Sequence, residues 1–136
     1  MAENNKSLIM VVDDDEMNLK MAEFILKKET DNDVVLADSG YKCIELLQGK
    51  TMPDLILLDI QMPRMNGIKT LELIREHEEW NSIPVIFLTA TADKETVIKA
   101  GMLKANGYIK KPFMPKELVE RVNRTLAEKM MDNILG

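Results

Sequence analysis

Cysteine and histidine are nearly absent from this sequence: Cys43 and His77 are the only ones in 136 residues. A disulfide framework, a Cys/His zinc site and a His-dependent catalytic triad are thereby all but excluded, and the usage fits a reducing compartment. An excess of positive charge is missing too. The 18 Lys+Arg against 23 Asp+Glu give a formal charge of -5, which offers no broad cationic field for nucleic acid or anionic lipid. Direct DNA binding and membrane association are not expected of this segment. The polar start, Met1 to Lys6, leads into an apolar run, Leu8 to Val12, that is too short for a signal sequence or a membrane span. A soluble, cytoplasmic protein is the expectation. The sequence also lacks a phosphate-binding P-loop, a dinucleotide glycine fingerprint, internal repeats and low-complexity tracts.

What is present is one domain's worth of core. An apolar content of 46% suffices for a single buried core, and the length leaves no room for a second folded domain. The expected boundaries are an N-terminal tail over 1–6, one domain over 7–129, and a C-terminal tail or helix extension over 130–136. Short runs rich in Val, Ile and Leu alternate with longer amphipathic segments. Leu8 to Val12, Val34 to Ala37, Leu55 to Leu58, Val85 to Leu88 and Tyr108 to Ile109 read as strands, mostly buried on both faces. Helical periodicity covers Asn18 to Lys28, Tyr41 to Gln48 after a Ser39 cap, and Ile68 to His77. Two further helices follow, one capped by Asp93 and reaching about Leu103, the other opening at Pro115 and running to about Met131. The order is (βα)5.

Strict alternation calls for a parallel sheet with helices on both faces, since each crossover is right-handed and must lie on a face. A TIM barrel needs far more residues. The expectation is therefore an α/β flavodoxin-like three-layer sandwich with strand order 2-1-3-4-5, in which ligands bind beyond the carboxyl ends of strands 1 and 3.

Those ends are acidic. Strand 1 runs into Asp13-Asp14-Asp15 and strand 3 into Asp59, so topology gathers several carboxylates at one edge. Clustered carboxylates raise one another's pKa unless a cation compensates, and a hard divalent ion such as Mg2+ is the natural compensator. A plainer role, capping the first helix, remains open for the acids of strand 1. Strand 4 ends in Thr89 and the fifth loop carries Lys111, which add a hydroxyl and an ammonium to the same edge. Metal, hydroxyl and ammonium together complement a phosphoryl group, with its roughly two negative charges and three acceptor oxygens.

Val12-Asp13-Asp14, the run Asp59-Ile60-Gln61-Met62-Pro63-Arg64-Met65-Asn66-Gly67, Leu88-Thr89-Ala90 and Lys111-Pro112-Phe113 resemble, in order and spacing, the signatures of response-regulator receiver domains of the chemotaxis-regulator type. The match spans nearly the whole chain. The resemblance implies that Asp59 is the phosphoacceptor, and that Asp13, Asp14, Asp59 and the backbone carbonyl of Gln61 hold Mg2+, with Mn2+ an acceptable substitute and Asp13 reaching the ion through water. It implies that Lys111 pairs with the phosphoryl oxygens, Thr89 bonds to them after transfer, and the Lys111-Pro112 bond is cis. It further implies a sensor histidine kinase or phosphotransfer protein as donor, with Gln61 and Thr91 along the route of the hydrolytic water. Thr89 and Tyr108 would form a switch that alters the face of helix 4, strand 5 and helix 5, and a homodimer on phosphorylation is one partner mode it allows. Self-phosphorylation and slow autodephosphorylation would be the only chemistry; the domain would not be an enzyme in its own right.

Some residues depart from the usual pattern. Asp15 makes a third consecutive acid and is expected at the pocket rim or as a helix cap. Met114 stands where a capping Ser, Asp or Asn often precedes the helix-starting proline. Leu118, Val119, Val122, Leu126, Met130 and Ile134 continue an apolar stripe beyond what the sheet needs, while Met62 and Met65 are expected to be partly exposed. Two other functions compete. Asp13-x-Asp15, Thr89 and Lys111 superficially meet the template of a haloacid-dehalogenase-like phosphatase, but Met17 sits where Thr or Val is usual, no late acid pair exists, and Asp59 goes unexplained. A constitutive receiver-like interaction module is the other; every position needed for phosphoryl chemistry is nevertheless filled by a competent residue.

Overall fold

The computed structural model describes residues 6–90 and 93–136. Ten elements alternate along it. The strands are β1 (Leu8–Val12), β2 (Asp33–Ala37), β3 (Leu55–Asp59), β4 (Val85–Thr89) and β5 (Tyr108–Lys110). The helices are α1 (Glu16–Glu29), α2 (Gly40–Gln48), α3 (Gly67–Glu76), α4 (Lys94–Met102) and α5 (Pro115–Leu135). All strand pairings are parallel and the sheet order is β2-β1-β3-β4-β5, the arrangement expected from the alternation.

Because successive strand residues point to opposite faces, each central strand feeds two cores. Ile9, Val11, Leu55, Leu57, Ile86 and Leu88 face α1 and α5, meeting Leu19, Leu26, Leu118 and Val122. Met10, Val12, Ile56, Leu58, Val85 and Phe87 face the other way, onto Cys43 and Leu47 of α2 and Leu71 and Ile74 of α3. Every residue of β3 and β4 is buried, and each large apolar side chain so placed contributes roughly 1.5–3 kcal/mol. Cys43 lies in this interior, where burial pushes its thiol pKa up to about 12, so it is structural packing and not a nucleophile.

Expectation and structure part at the edges. β2 and β5 are not buried on both faces: they flank the sheet, and three of the five β2 residues are half-buried while Tyr108 and Lys110 of β5 are exposed. α5 continues past Met131 to Leu135, leaving Met130, Met131, Ile134 and Leu135 exposed. α1 begins at Glu16, two residues early, because Asp15 caps it by accepting from the Met17 N–H at 2.9 Å. Ser39 and Asp93 cap α2 and α4 as expected, accepting from Lys42 and Thr96. Met114 makes no capping bond, leaving Pro115 alone to open α5. Met62 and Met65 are buried, not partly exposed: the loop after Asp59 folds back over the second core. His77 is the C-cap of α3 and stacks on Trp80, with centroids 3.7 Å apart. Among the described residues, no helix is long and apolar enough to cross a membrane.

Candidate phosphoacceptor site

Sheet register assembles the site. Val12 pairs with Leu58, and Asp59 with Leu88, so the chain positions just beyond, Asp13 and Thr89, flank Asp59 at one edge. Asp13 is fully buried and Asp59 nearly so, whereas Asp14 is exposed. One carboxylate oxygen from each of Asp13, Asp14 and Asp59 lies within 4.8 Å of the others. Asp15 is outside this group and serves α1 as its cap; its own backbone N–H donates to Asp13 Oδ1 at 2.9 Å, fixing that carboxylate's orientation.

Lys111 reaches the same edge from the loop after β5. Its Nζ donates to Asp13 Oδ2 at 2.7 Å and stands 3.3 Å from Asp59 Oδ1, largely shielded from solvent. The Lys111 N–H also donates to the Thr89 carbonyl at 2.7 Å, which ties this loop to the end of β4, and the Lys111-Pro112 bond is cis. The Gln61 N–H donates to Asp59 Oδ1 at 3.3 Å. Thr89 is buried, while Tyr108 is half exposed; both line an apolar cavity of about 170 Å3 between the sheet and α4. Thr91 lies outside the described residues.

Electrostatics mark Asp59 as the strained member. Burial, and then the Asp13 carboxylate, push its pKa from 3.8 up to about 6, against the opposing pull of the Lys111 ammonium and the Gln61 N–H. Burial would depress Lys111, but its bond to Asp13 and the charges of Asp13 and Asp59 outweigh that and raise its pKa, so it stays cationic. One ammonium against three acids leaves the cluster short of positive charge, and oxygen donors alone fit a hard divalent cation rather than a thiophilic metal.

The run after Asp59 ends in two residues whose part in shaping the surroundings is visible only in the structure. Asn66 caps α3 by accepting from Lys69 N–H at 2.9 Å. Gly67 packs so closely that a Cβ there would collide with the Asp59 carbonyl oxygen and Ile60 Cα, and its N–H donates to the Ile60 carbonyl at 2.8 Å. A glycine eight positions after Asp59 was the available signal for this close approach.

The fold and the acid cluster define a class, and comparison with known proteins gives it a family. The profile of the response regulator receiver domain matches residues 9–123, and the chain belongs to that family. Hybrid signal transduction histidine kinase D of Dictyostelium discoideum is 38% identical over 133 residues, 97% of this chain and 8% of that protein. Chemotaxis protein CheY-3 of Vibrio cholerae is 34% identical over 121 residues, covering 89% of this chain and 92% of that one. A CheY-like receiver domain protein from Methanospirillum hungatei has a solved structure that superposes with a TM-score of 0.87 at 26% identity, covering 94% of this chain and 99% of that one. The chain spans about half the length of the DNA-binding response regulators it matches.

Proposed function

We propose that the domain accepts a phosphoryl group on Asp59 and converts its presence into a change of the surface formed by α4, β5 and α5. The observation that carries the reading is the buried Asp59 carboxylate, with Asp13 and Asp14 oxygens within 4.8 Å and the Lys111 ammonium 3.3 Å away. Asp59 needs no general base: an anionic oxygen attacks phosphorus, the new O–P bond forms as the N–P bond of a phosphohistidine breaks, and the imidazole leaves with the bonding pair. Asp13, Asp14, Asp59 and the Gln61 carbonyl are the groups that would hold Mg2+ or Mn2+. When bound, the cation screens the approach of two anions and offsets charge on the phosphoryl oxygens. Lys111 supplies the second cation, and its contact with Asp13 holds it on the acceptor side. The Thr89 hydroxyl then bonds to the phosphoryl oxygens, vacating space in the cavity that the Tyr108 ring can occupy.

In this reading the donor is a histidine kinase or phosphotransfer protein in the cytoplasm, Gln61 and Thr91 flank the path of the hydrolytic water, and turnover is limited to the domain's own phosphorylation and dephosphorylation. The working unit is residues 7–129, with 1–6 as a leading tail and 130–136 as an extension of α5. Acetyl phosphate with Mg2+, followed by intact mass, tests the proposal. Wild type should carry one hydroxylamine-labile phosphoryl adduct, and Asp59→Asn or wild type in EDTA none. A label on Asp13 would instead mean phosphatase-type chemistry, and no label on any protein would leave a constitutive binding module.

A further inference from the structure

α4 is the least anchored helix of the domain. None of its nine residues is fully buried, and Val97, Ala100 and Gly101 overhang the 170 Å3 cavity whose far wall includes Phe87, Thr89 and Tyr108. Among the described residues its two ends are held differently. At the N-terminal end the Asp93 cap bonds to the Thr96 N–H, and among the described residues the hydrogen bonds upstream of Gly101 run within α4 and its own caps.

The C-terminal end is tied down. Lys104 adopts a φ of 61°, with Lys104 N–H donating to Gly101 O at 3.0 Å and Ala105 N–H to Ala100 O at 2.9 Å, the paired bonds that close a helix on a left-handed residue. Residues with a Cβ rarely adopt that conformation unless their surroundings favour it. Arg75, from the last turn of α3, does so. Its Nε donates to Leu103 O at 2.8 Å and its Nη2 to Lys104 O at 3.1 Å, while Nη1 donates to Ile83 O at 2.8 Å and Asn81 O at 3.3 Å. One planar guanidinium thus joins the end of α3, the segment before β4 and the end of α4. No carboxylate among the described residues pairs with Arg75; its counter-charge is the negative end of the α4 dipole and these carbonyls. Asn106 extends the tie, donating its N–H to Val85 O at 2.7 Å and accepting from Val85 N–H at 2.9 Å.

We propose that Arg75 is the pivot of α4: it fixes the C-terminal end of the helix to α3 and β4, so that displacement of α4 opens at the N-terminal end, beside Thr89. The use of that motion in signalling rests on the phosphoacceptor reading above; the pivot itself does not. Amide hydrogen exchange on the full chain, without phosphodonor, decides it. In wild type, amides of 97–100 exchange faster than those of 104–106. In Arg75→Ala the amides of 103–106 accelerate by about tenfold to a hundredfold while those of β1 and β3 hold their rates. Arg75→Lys keeps the charge but not the fork of donors, and accelerates them nearly as much. A flat wild-type profile along α4, unchanged exchange at 103–106 in the variants, or equal acceleration throughout the sheet overturns the pivot. If Arg75→Ala does not fold, Arg75→Lys and the wild-type gradient give the same decision. With acetyl phosphate and Mg2+, exchange should change only in the first half of α4 in wild type and spread to 103–106 in Arg75→Lys. Absence of a wild-type adduct would sink the signalling link alone, since the resting gradient is read without it.

Discussion

α3 and α4 lie on the same side of the sheet and are nearly equal in length, yet α3 buries Gly67, Thr70, Leu71 and Ile74 while α4 buries none of its residues. The difference follows their jobs. α3 begins where the loop from Asp59 ends, so any looseness in it would displace Asp59. α4 covers a cavity next to Thr89, and under the proposed function looseness there is what a switch requires. Close packing thus adjoins Asp59 and looser packing lies one helix away, with the Arg75 guanidinium joining the two.

The contrast is sharpest in core truncations. Ile74→Ala should cost about 2–5 kcal/mol in urea unfolding, because Ile74 is fully buried among β3 and β4 side chains. Val97→Ala should cost less than about 1 kcal/mol, since Val97 is 42% exposed and already borders empty space. Equal losses from the two would erase the distinction between the helices.

Within the rigid half, Asp59 is a site of stored unfavourable energy. Its folded-state pKa, raised from 3.8 to about 6, means that the folded protein holds a proton which the unfolded chain has released across that window. The metal-free protein therefore loses stability as pH rises from about 4 to about 6, and the penalty is complete above it. Asp59→Asn removes the titration, so it should be more stable than wild type at neutral pH, with the advantage vanishing near pH 4. Urea midpoints measured in EDTA across this range check the sign. Adding Mg2+ should narrow the gap by stabilising wild type, and a gap that ignores pH would mean that burial and Asp13 do not act on Asp59 as described.

How far could the sequence see this? The alternation of apolar runs and amphipathic segments carried the architecture, because strand and helix periodicities are local and the crossover rule is general. The acid cluster was legible for the same reason: strand ends in a known order place Asp13, Asp59, Thr89 and Lys111 at one edge. Depth of burial was not. Met62 and Met65 sit in a loop rich in turn-forming residues; Met62 is buried by joining the second core, and Met65 is buried beside Gly40 at the start of α2. The exposed flanks of β2 and β5 depend on which strands end the sheet, and Arg75 reads as an ordinary surface charge because its acceptors are backbone carbonyls from as far as 29 positions away.

Two glycines give the finest comparison of the helices. At Gly67, the first residue of α3, a methyl group would strike backbone atoms of Asp59 and Ile60, which cannot move without shifting the Asp59 carboxylate. Gly67→Ala should therefore cost about 1–3 kcal/mol and slow labelling by acetyl phosphate. At Gly101, inside α4, an added Cβ meets nothing within 4 Å, because the helix stands over the cavity. Gly101→Ala should add about 0.5–1 kcal/mol by raising helix propensity alone, read as a small upward shift of the urea midpoint. Since that gain stiffens α4 without touching the acid cluster, labelling of Asp59 should keep its rate. A Gly101→Ala variant that is destabilised would show α4 seated more tightly on the sheet than its exposed residues indicate.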